Sequence, residues 1–280
     1  MTVSTAKITF IGAGNMASAI FGGLISKGYP ADHITATSPE PDVLKALSDQ
    51  YGIQVTSDNR AGIVNADVIV LAVKPQILEQ VCSGIRSVFN DSDQFPLVIS
   101  IAAGIPIASL ERWLNSQLPI IRAMPNTPAM VGCGATALFA NHNVSQHQRK
   151  LAEHVHGGTG ITEWLSDEAL MNAATAVAGS APAYFFLLFA AMEEAAVAQG
   201  LPRDTARRLA LQTGLGAATM ALHCDVEPEQ LMRNVMSPQG STERAIACFE
   251  SLDFRQMVNQ AMTACADRAL EMQTEFGGAR

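Results

Sequence analysis

Small residues spaced for close backbone approach follow the apolar run Lys7-Ile8-Thr9-Phe10-Ile11, in the order Gly12-Ala13-Gly14-Asn15-Met16-Ala17. In this spacing Gly12 permits a tight turn, Gly14 admits a pyrophosphate to the backbone N–H groups, and Ala17 lets the next helix pack close to the strand. Asn15 and Met16 open that helix, whose positive end faces the phosphates. The chemistry is dinucleotide binding, although glycines that end a strand for steric reasons give the same spacing. Three further stretches supply context: Ala72-Val73-Lys74-Pro75, Ala102-Ala103-Gly104 and Pro125-Asn126-Thr127-Pro128, each after an apolar run. At the carboxyl ends of parallel strands they make an open groove beside the glycine turn, which is where ligands lie in open α/β sheets. The plainer reading is loop punctuation.

The flavour of the cofactor is read roughly twenty residues past the turn, where a carboxylate normally accepts from the ribose of NAD. Here stand Thr35-Ala36-Thr37-Ser38. Hydroxyls remove the charge that repels a 2′-phosphate, while no arginine adjoins them in sequence and Glu40 follows closely. NADPH is preferred, NADH being the alternative, with Ser38 and Asn59 as the residues at the ribose.

A second donor-rich stretch lies far downstream, Asn234-Val235-Met236-Ser237-Pro238-Gln239-Gly240-Ser241-Thr242. Ser241-Thr242 ahead of Glu243 caps a helix in the plain reading, and a helix N-terminus rich in N–H and O–H donors is also a carboxylate site. The five lysines are Lys7, Lys27, Lys45, Lys74 and Lys150, so the last part of the chain has no lysine to act as general acid or base. That favours a reaction needing little proton transfer from the protein. Reduction of an iminium carbon fits, since the substrate arrives already protonated and hydride delivery needs mainly orientation.

Alternating strand and helix signals must position the first group. A helix is predicted over 15–27, a strand over 33–37, a helix from Pro41 to about Gly52, and strands over 53–55, 67–73, 97–101 and 118–124. The continuous apolar run at 67–73 fits a strand covered on both faces. After Trp164 strand signals vanish and helices are predicted over 167–178, 181–199, 203–222 and 241–276. The domain boundary is placed near Leu165, giving domains 1–165 and 166–280.

Composition narrows the partners. The 280 residues carry a net charge of −8 with no basic run, which disfavours nucleic acid and anionic membranes. Five dispersed cysteines without a C-x-x-C pair read as reduced thiols of a cytoplasmic protein, mostly in the core. His154 and His156, one residue apart, read as a polar helix end, and no metal site is expected. The N-terminus has no signal-peptide pattern. The uncharged run 173–192 has the length of a bilayer span. Being alanine-rich, interrupted by Gly179-Ser180-Ala181-Pro182 and followed by Glu193-Glu194, it reads instead as part of a buried helix pair in an oligomer.

Six motifs in order resemble those of the pyrroline-5-carboxylate reductase family over essentially the whole chain. They are Phe10 to Met16, Ala72-Val73-Lys74-Pro75-Gln76, Ser100 to Gly104, Arg122-Ala123-Met124-Pro125-Asn126-Thr127-Pro128-Ala129, Gly179-Ser180-Ala181-Pro182-Ala183-Tyr184, and Ser237-Pro238 through Gly240-Ser241-Thr242. The resemblance implies an α/β fold, an N-terminal Rossmann-like dinucleotide-binding domain followed by an all-helical dimerisation domain that also binds substrate. It implies a homo-oligomer of interleaved dimers that reduces 1-pyrroline-5-carboxylate to L-proline with NADPH or NADH, the last step of proline biosynthesis. Ser237, Gly240, Ser241 and Thr242 are then expected at the substrate carboxylate and ring nitrogen, with Thr242 the catalytic candidate and Asn234 near the nicotinamide. Gly12, Gly14, Asn15, Met16, Ala72, Val73, Lys74, Pro75, Ala102, Ala103 and Gly104 are expected along the cofactor.

The family usually has glycine where this chain has Ala181 and Gln239, and a small hydroxyl residue where it has Met236. Gln239 matters most, because a side chain there narrows the pocket or strains the backbone if the position needs positive φ. Two other readings share these motifs: a reductase of a six-membered cyclic imine acid, and a non-catalytic nucleotide-sensing relative.

Overall fold

The structure, a computed structural model, describes residues 6–89, 95–114 and 117–278. It divides into two compact units, Met1–Ser180 with Ala264–Arg280, and Ala181–Thr263. The first break thus falls later than the sequence-based boundary near Leu165, and the chain's last stretch belongs with the first unit.

In the first unit eight strands form one sheet: β1 (Ile8–Ile11), β2 (Ile34–Thr37), β3 (Gln54–Thr56), β4 (Val68–Leu71), β5 (Leu97–Ser100), β6 (Ile120–Met124), β7 (Gly134–Ala140) and β8 (Gly160–Trp164). Their order is β3-β2-β1-β4-β5-β6-β7-β8. The first six are parallel, β7 runs against β6, and β8 is parallel to β7. The strand order reverses between β1 and β4, the switch point at which such sheets bind ligands. β1, β4 and β5 are buried at every residue, as expected when crossover helices cover both faces.

Helices α1 (Asn15–Ser26), α2 (Pro41–Tyr51), α3 (Asn59–Ile63), α4 (Pro75–Ile85), α5 (Ile107–Trp113), α6 (Gln146–Gly157) and α7 (Leu170–Ala174) follow in chain order. One core layer joins Phe10 to Phe21 of α1, their rings 5.4 Å apart edge to face, and reaches Val155 of α6. The other sets Leu71 against Leu78 and Cys82 of α4. Strands β7 and β8 carry little sequence signal. β7 begins with the small residues Gly134-Ala135-Thr136-Ala137, and β8 is an edge strand with alternate residues exposed.

Arg122, buried in β6, meets Glu168 at 3.1 Å, and the same Glu168 oxygen accepts from the Ile107 N–H at 2.8 Å. Burial pulls the guanidinium below its ordinary pKa, and Glu168 opposes the shift. One carboxylate thereby joins the sheet, the start of α5 and the approach to α7.

The second unit holds α8 (Ala181–Ala198), α9 (Arg203–Leu222), α10 (Pro228–Val235), α11 (Ser241–Ser251) and the start of α12 (Phe254–Phe276). The helix expected over 241–276 is two: the chain leaves α11 at Leu252, and Asp253 takes φ 54, a reversal made with neither glycine nor proline. Gly179 to Pro182 do not interrupt the earlier helix, because a π turn at Thr175–Gly179 carries the chain from α7 into α8. The resulting helix, Leu170–Ala198, is long and apolar enough to cross a membrane by length and composition. Its most apolar window is only 6% buried, with Phe186 62% and Leu187 72% exposed. The few buried residues of α8 and α9 are Ala181, Glu193, Ala206 and Ala210. Glu193 accepts from Arg207 and Arg203 at 2.7 Å each, and these bonds, Arg207 first, hold its carboxyl at about 2.

Two expectations change. Only Cys82 of the five cysteines is buried; in the first unit Cys133 is exposed and Cys265 half-buried, and Cys224 and Cys248 are exposed on a helical unit that has little core of its own to bury them. His156 is no polar helix end. It is fully buried, and neither ring nitrogen has a hydrogen-bond partner among the described residues. Burial lowers its pKa from 6.5 to about 4. Between those values the unfolded chain binds a proton that the folded one refuses, so stability falls as pH drops from about 6.5 to about 4, by on the order of 3 kcal/mol. The thermal midpoint of the native protein is expected to fall further between pH 7 and 4.5 than that of His156→Leu; equal falls contradict this.

Candidate active site

The glycine turn passes between the ends of β2 and β4. Gly12 N donates to the Thr37 carbonyl at 3.1 Å, and Ala72 N donates to the Ile11 carbonyl at 2.8 Å. Gly12 has φ 104, and a Cβ there would lie 2.6 Å from the Ala72 oxygen, so no side chain fits. Gly14 is the N-cap of α1 and makes no side-chain cap bond. A Cβ on Gly14 would meet nothing within 4 Å, leaving the helix start open. No acidic residue occupies the first turn, and a helix start of that kind favours an anion.

Beside the turn lies a cavity of about 570 Å³, lined among others by Gly12, Thr37, Ser38, Asn59, Arg60 and Val73. Ser38 and Asn59 come together because β2 and β3 are parallel neighbours with Thr37 opposite Thr56. Asn59 Oδ1 accepts from Thr37 Oγ1 at 2.5 Å, and Ser38 Oγ accepts from Glu40 N at 3.2 Å. Asp58 caps α3 through the N–H groups of Arg60 and Ala61. Glu40 is exposed and does not line this cavity. Arg60, at the start of α3, lines the same cavity, a cation that the sequence of β2 alone does not show. The signal was there one strand over, since both strands end at the same sheet edge.

The other expected cofactor residues lie on the same edge. Register pairs Ile11 with Leu71 and Leu71 with Ser100, so Ala72 to Pro75 and Ala102 to Gly104 leave the sheet side by side with the turn. Lys74 is the N-cap of α4 and Pro75 opens it. Gly104 has φ 71, and a Cβ there would lie 2.7 Å from Met272 Cβ, so the glycine lets the end of α12 close on this loop. Ser109 Oγ and Arg112 Nη2 hold the same end by bonding the Gly277 carbonyl, at 2.5 and 2.6 Å. Asn126 is taken up structurally, donating to the Ala178 carbonyl at 3.1 Å and accepting from Ala135 N at 3.0 Å.

The donor-rich loop belongs to the second unit. Asn234, near the end of α10, accepts from Gln230 at 2.8 Å. Ser241 and Thr242 are the first two residues of α11 and do not cap it: the N-cap is Gly240, without a side-chain cap bond. Their hydroxyls are thereby released from the plain role. Gln239 adopts φ 58, the positive φ that its sequence position put in question.

A largely parallel sheet with its switch point at a glycine turn, a nucleotide-sized cavity and an appended helical unit defines an NAD(P)-dependent oxidoreductase of the Rossmann class. Family models agree: residues 7–104 match NADP oxidoreductase coenzyme F420-dependent, and 168–272 match pyrroline-5-carboxylate reductase dimerisation. The chain is 46% identical to pyrroline-5-carboxylate reductase of Pseudomonas aeruginosa, covering 98% of this chain and 100% of that one. It is 39% identical to the Escherichia coli enzyme of that name, covering 94% and 97%. A solved pyrroline-5-carboxylate reductase from Coxiella burnetii superposes with TM-score 0.92 at 43% identity, covering 96% and 99%. One from Plasmodium falciparum, solved with NADP bound, gives 0.84 at 30%, covering 96% and 98%. The chain belongs to the pyrroline-5-carboxylate reductase family, and its cofactor is NAD(P)H.

Gly12→Ala is expected to weaken NADPH binding at least tenfold in a fluorescence titration, because the turn must leave the Ala72 carbonyl. An unchanged Kd contradicts the placement of the pyrophosphate at this turn.

Proposed function

We propose that this protein reduces 1-pyrroline-5-carboxylate to L-proline with NADPH, NADH serving as the weaker donor. The observation that carries the reading is kinship over the whole chain with both half-sites kept in order: the glycine turn in 1–165 and the hydroxyl loop in 166–280. In this reading Gly12, Gly14, Asn15 and Met16 hold the pyrophosphate through backbone N–H groups. Ser38, Asn59 and Arg60 take the 2′-phosphate. Ala72 to Pro75, Ala102 to Gly104 and Asn234 flank the nicotinamide end.

Bound NADPH supplies the hydride. Ser237 and Ser241 offer N–H and O–H donors to the substrate carboxylate, and Gly240, whose own N–H closes the turn onto the Ser237 carbonyl, shapes the loop between them. Thr242 hydrogen-bonds at the ring nitrogen; an unperturbed aliphatic hydroxyl is too weak an acid to protonate it. The ring nitrogen therefore arrives protonated, and the hydride closes the C=N bond to a secondary amine with no proton required from the protein. Orientation is the protein's main contribution.

The family's dimerisation region and the exposed Phe186, Leu187 and Leu215 support a homo-oligomer built from interleaved dimers in which a second copy covers this face.

The purified protein should oxidise NADPH in the presence of pyrroline-5-carboxylate; turnover with neither this imine nor its six-membered analogue contradicts the reading. Thr242→Ala should lower kcat/KM at least tenfold, and full retention removes Thr242 from the site. Arg60→Ala should raise the KM for NADPH several-fold and leave that for NADH unchanged; parallel changes contradict a role at the 2′-phosphate.

A further inference from the structure

Within the loop that presents Ser237, Gly240, Ser241 and Thr242, one residue holds a conformation natural to glycine. Gln239 sits at φ 58, where a Cβ crowds its own backbone. Two bonds and one small residue keep it there. Gly240 N donates to the Ser237 carbonyl at 2.9 Å, closing a tight turn. A side chain on Gly240 would collide with Ser237 Oγ and its carbonyl, so this position stays bare. From the first turn of α11, Glu243 reaches back, and its Oε2 accepts from Gln239 N at 2.6 Å. A carboxylate accepting from a backbone N–H is among the stronger hydrogen bonds available to an exposed loop.

We infer that Glu243 is a positioning residue for the substrate, fixing the loop in its binding shape by holding Gln239 in the left-handed conformation. The inference rests on the proposed reading of 237–242 as the substrate loop. Without the carboxylate, residue 239 relaxes toward ordinary φ, which turns the peptide plane leading into Gly240. The Ser241 N–H and the hydroxyls of Ser237 and Thr242 then lose the mutual arrangement that the turn gives them. Glu243 is also a negative charge near donors meant for a carboxylate. A purely electrostatic influence would therefore weaken substrate binding, whereas positioning strengthens it, and the two have opposite signs in an experiment.

The test is a double-mutant cycle on the full-length protein, read as separate kcat and KM values. Glu243→Ala is expected to raise the KM for pyrroline-5-carboxylate at least fivefold, with kcat within twofold and the KM for NADPH unchanged. Glu243→Gln, which keeps an acceptor oxygen, recovers most of that loss. Adding Gln239→Gly to Glu243→Ala restores the KM, because glycine holds positive φ unaided. An unchanged or lowered KM in Glu243→Ala overturns the inference, as does failure of Gln239→Gly to restore it. The outcome for Thr242→Ala separates the two levels: if that variant is impaired while Glu243→Ala is not, the loop still binds substrate and only the role of Glu243 falls.

Discussion

The approach of Gly12 to the Ala72 carbonyl is the contact on which the carboxyl edge of the sheet depends. Only a residue without a side chain, held at φ 104, brings the turn after β1 beneath the end of β4. From that position the chain enters α1 with its first N–H groups open, and the cavity lined by Ser38, Asn59 and Arg60 opens beside the turn. A methyl group at Gly12 pushes β1 and β4 apart just where the strand order reverses. The neighbouring loops follow the same principle of tight fit: Gly104 is bare because Met272 occupies its side-chain space. The end of α12 thus braces the stretch expected at the nicotinamide.

The helical unit is built on the opposite balance. Its helices bury few of their own side chains, and large apolar residues such as Phe186, Leu187 and Leu215 face outward. Surface of this kind is stable in water only when covered, and the family's dimerisation region spans these helices. The unit's one buried carboxylate, Glu193, is offset by two arginines. Burial there rests on ion pairing as well as apolar contact. Exposed Cys224 and Cys248 and the uncharged run 173–192 share this explanation, since all lie within the region that matches the family's dimerisation model.

Much of the dinucleotide half is legible in the sequence because its signals are local. A glycine spacing, continuous apolar strands and a proline at a helix start each act over a few residues, and β1 to β6 follow from them. What escaped depends on neighbours distant in sequence. Arg60 joins Ser38 only through the parallel pairing of β2 with β3. β7 is built largely of small residues and is held by β6 on one side and β8 on the other. His156 reads as polar until the packing around α6 closes over it. The turn between α11 and α12 is hidden for another reason: Asp253 adopts positive φ without the glycine that usually marks such a reversal. In the hydroxyl loop, sequence flagged Gln239 as the position at issue, but the carboxylate that offsets its strain became visible only once α11 placed Glu243 within reach.

The central claim is that the dinucleotide and the hydroxyl loop serve one hydride transfer to an imine carbon. NADPH carrying deuterium at the transferable C4 position, incubated with the purified protein and unlabelled pyrroline-5-carboxylate, measures it most directly by mass spectrometry of the product. The account predicts L-proline carrying one deuterium, at C5 of the ring. Unlabelled proline, or labelled NADPH left unoxidised while the substrate is present, contradicts it.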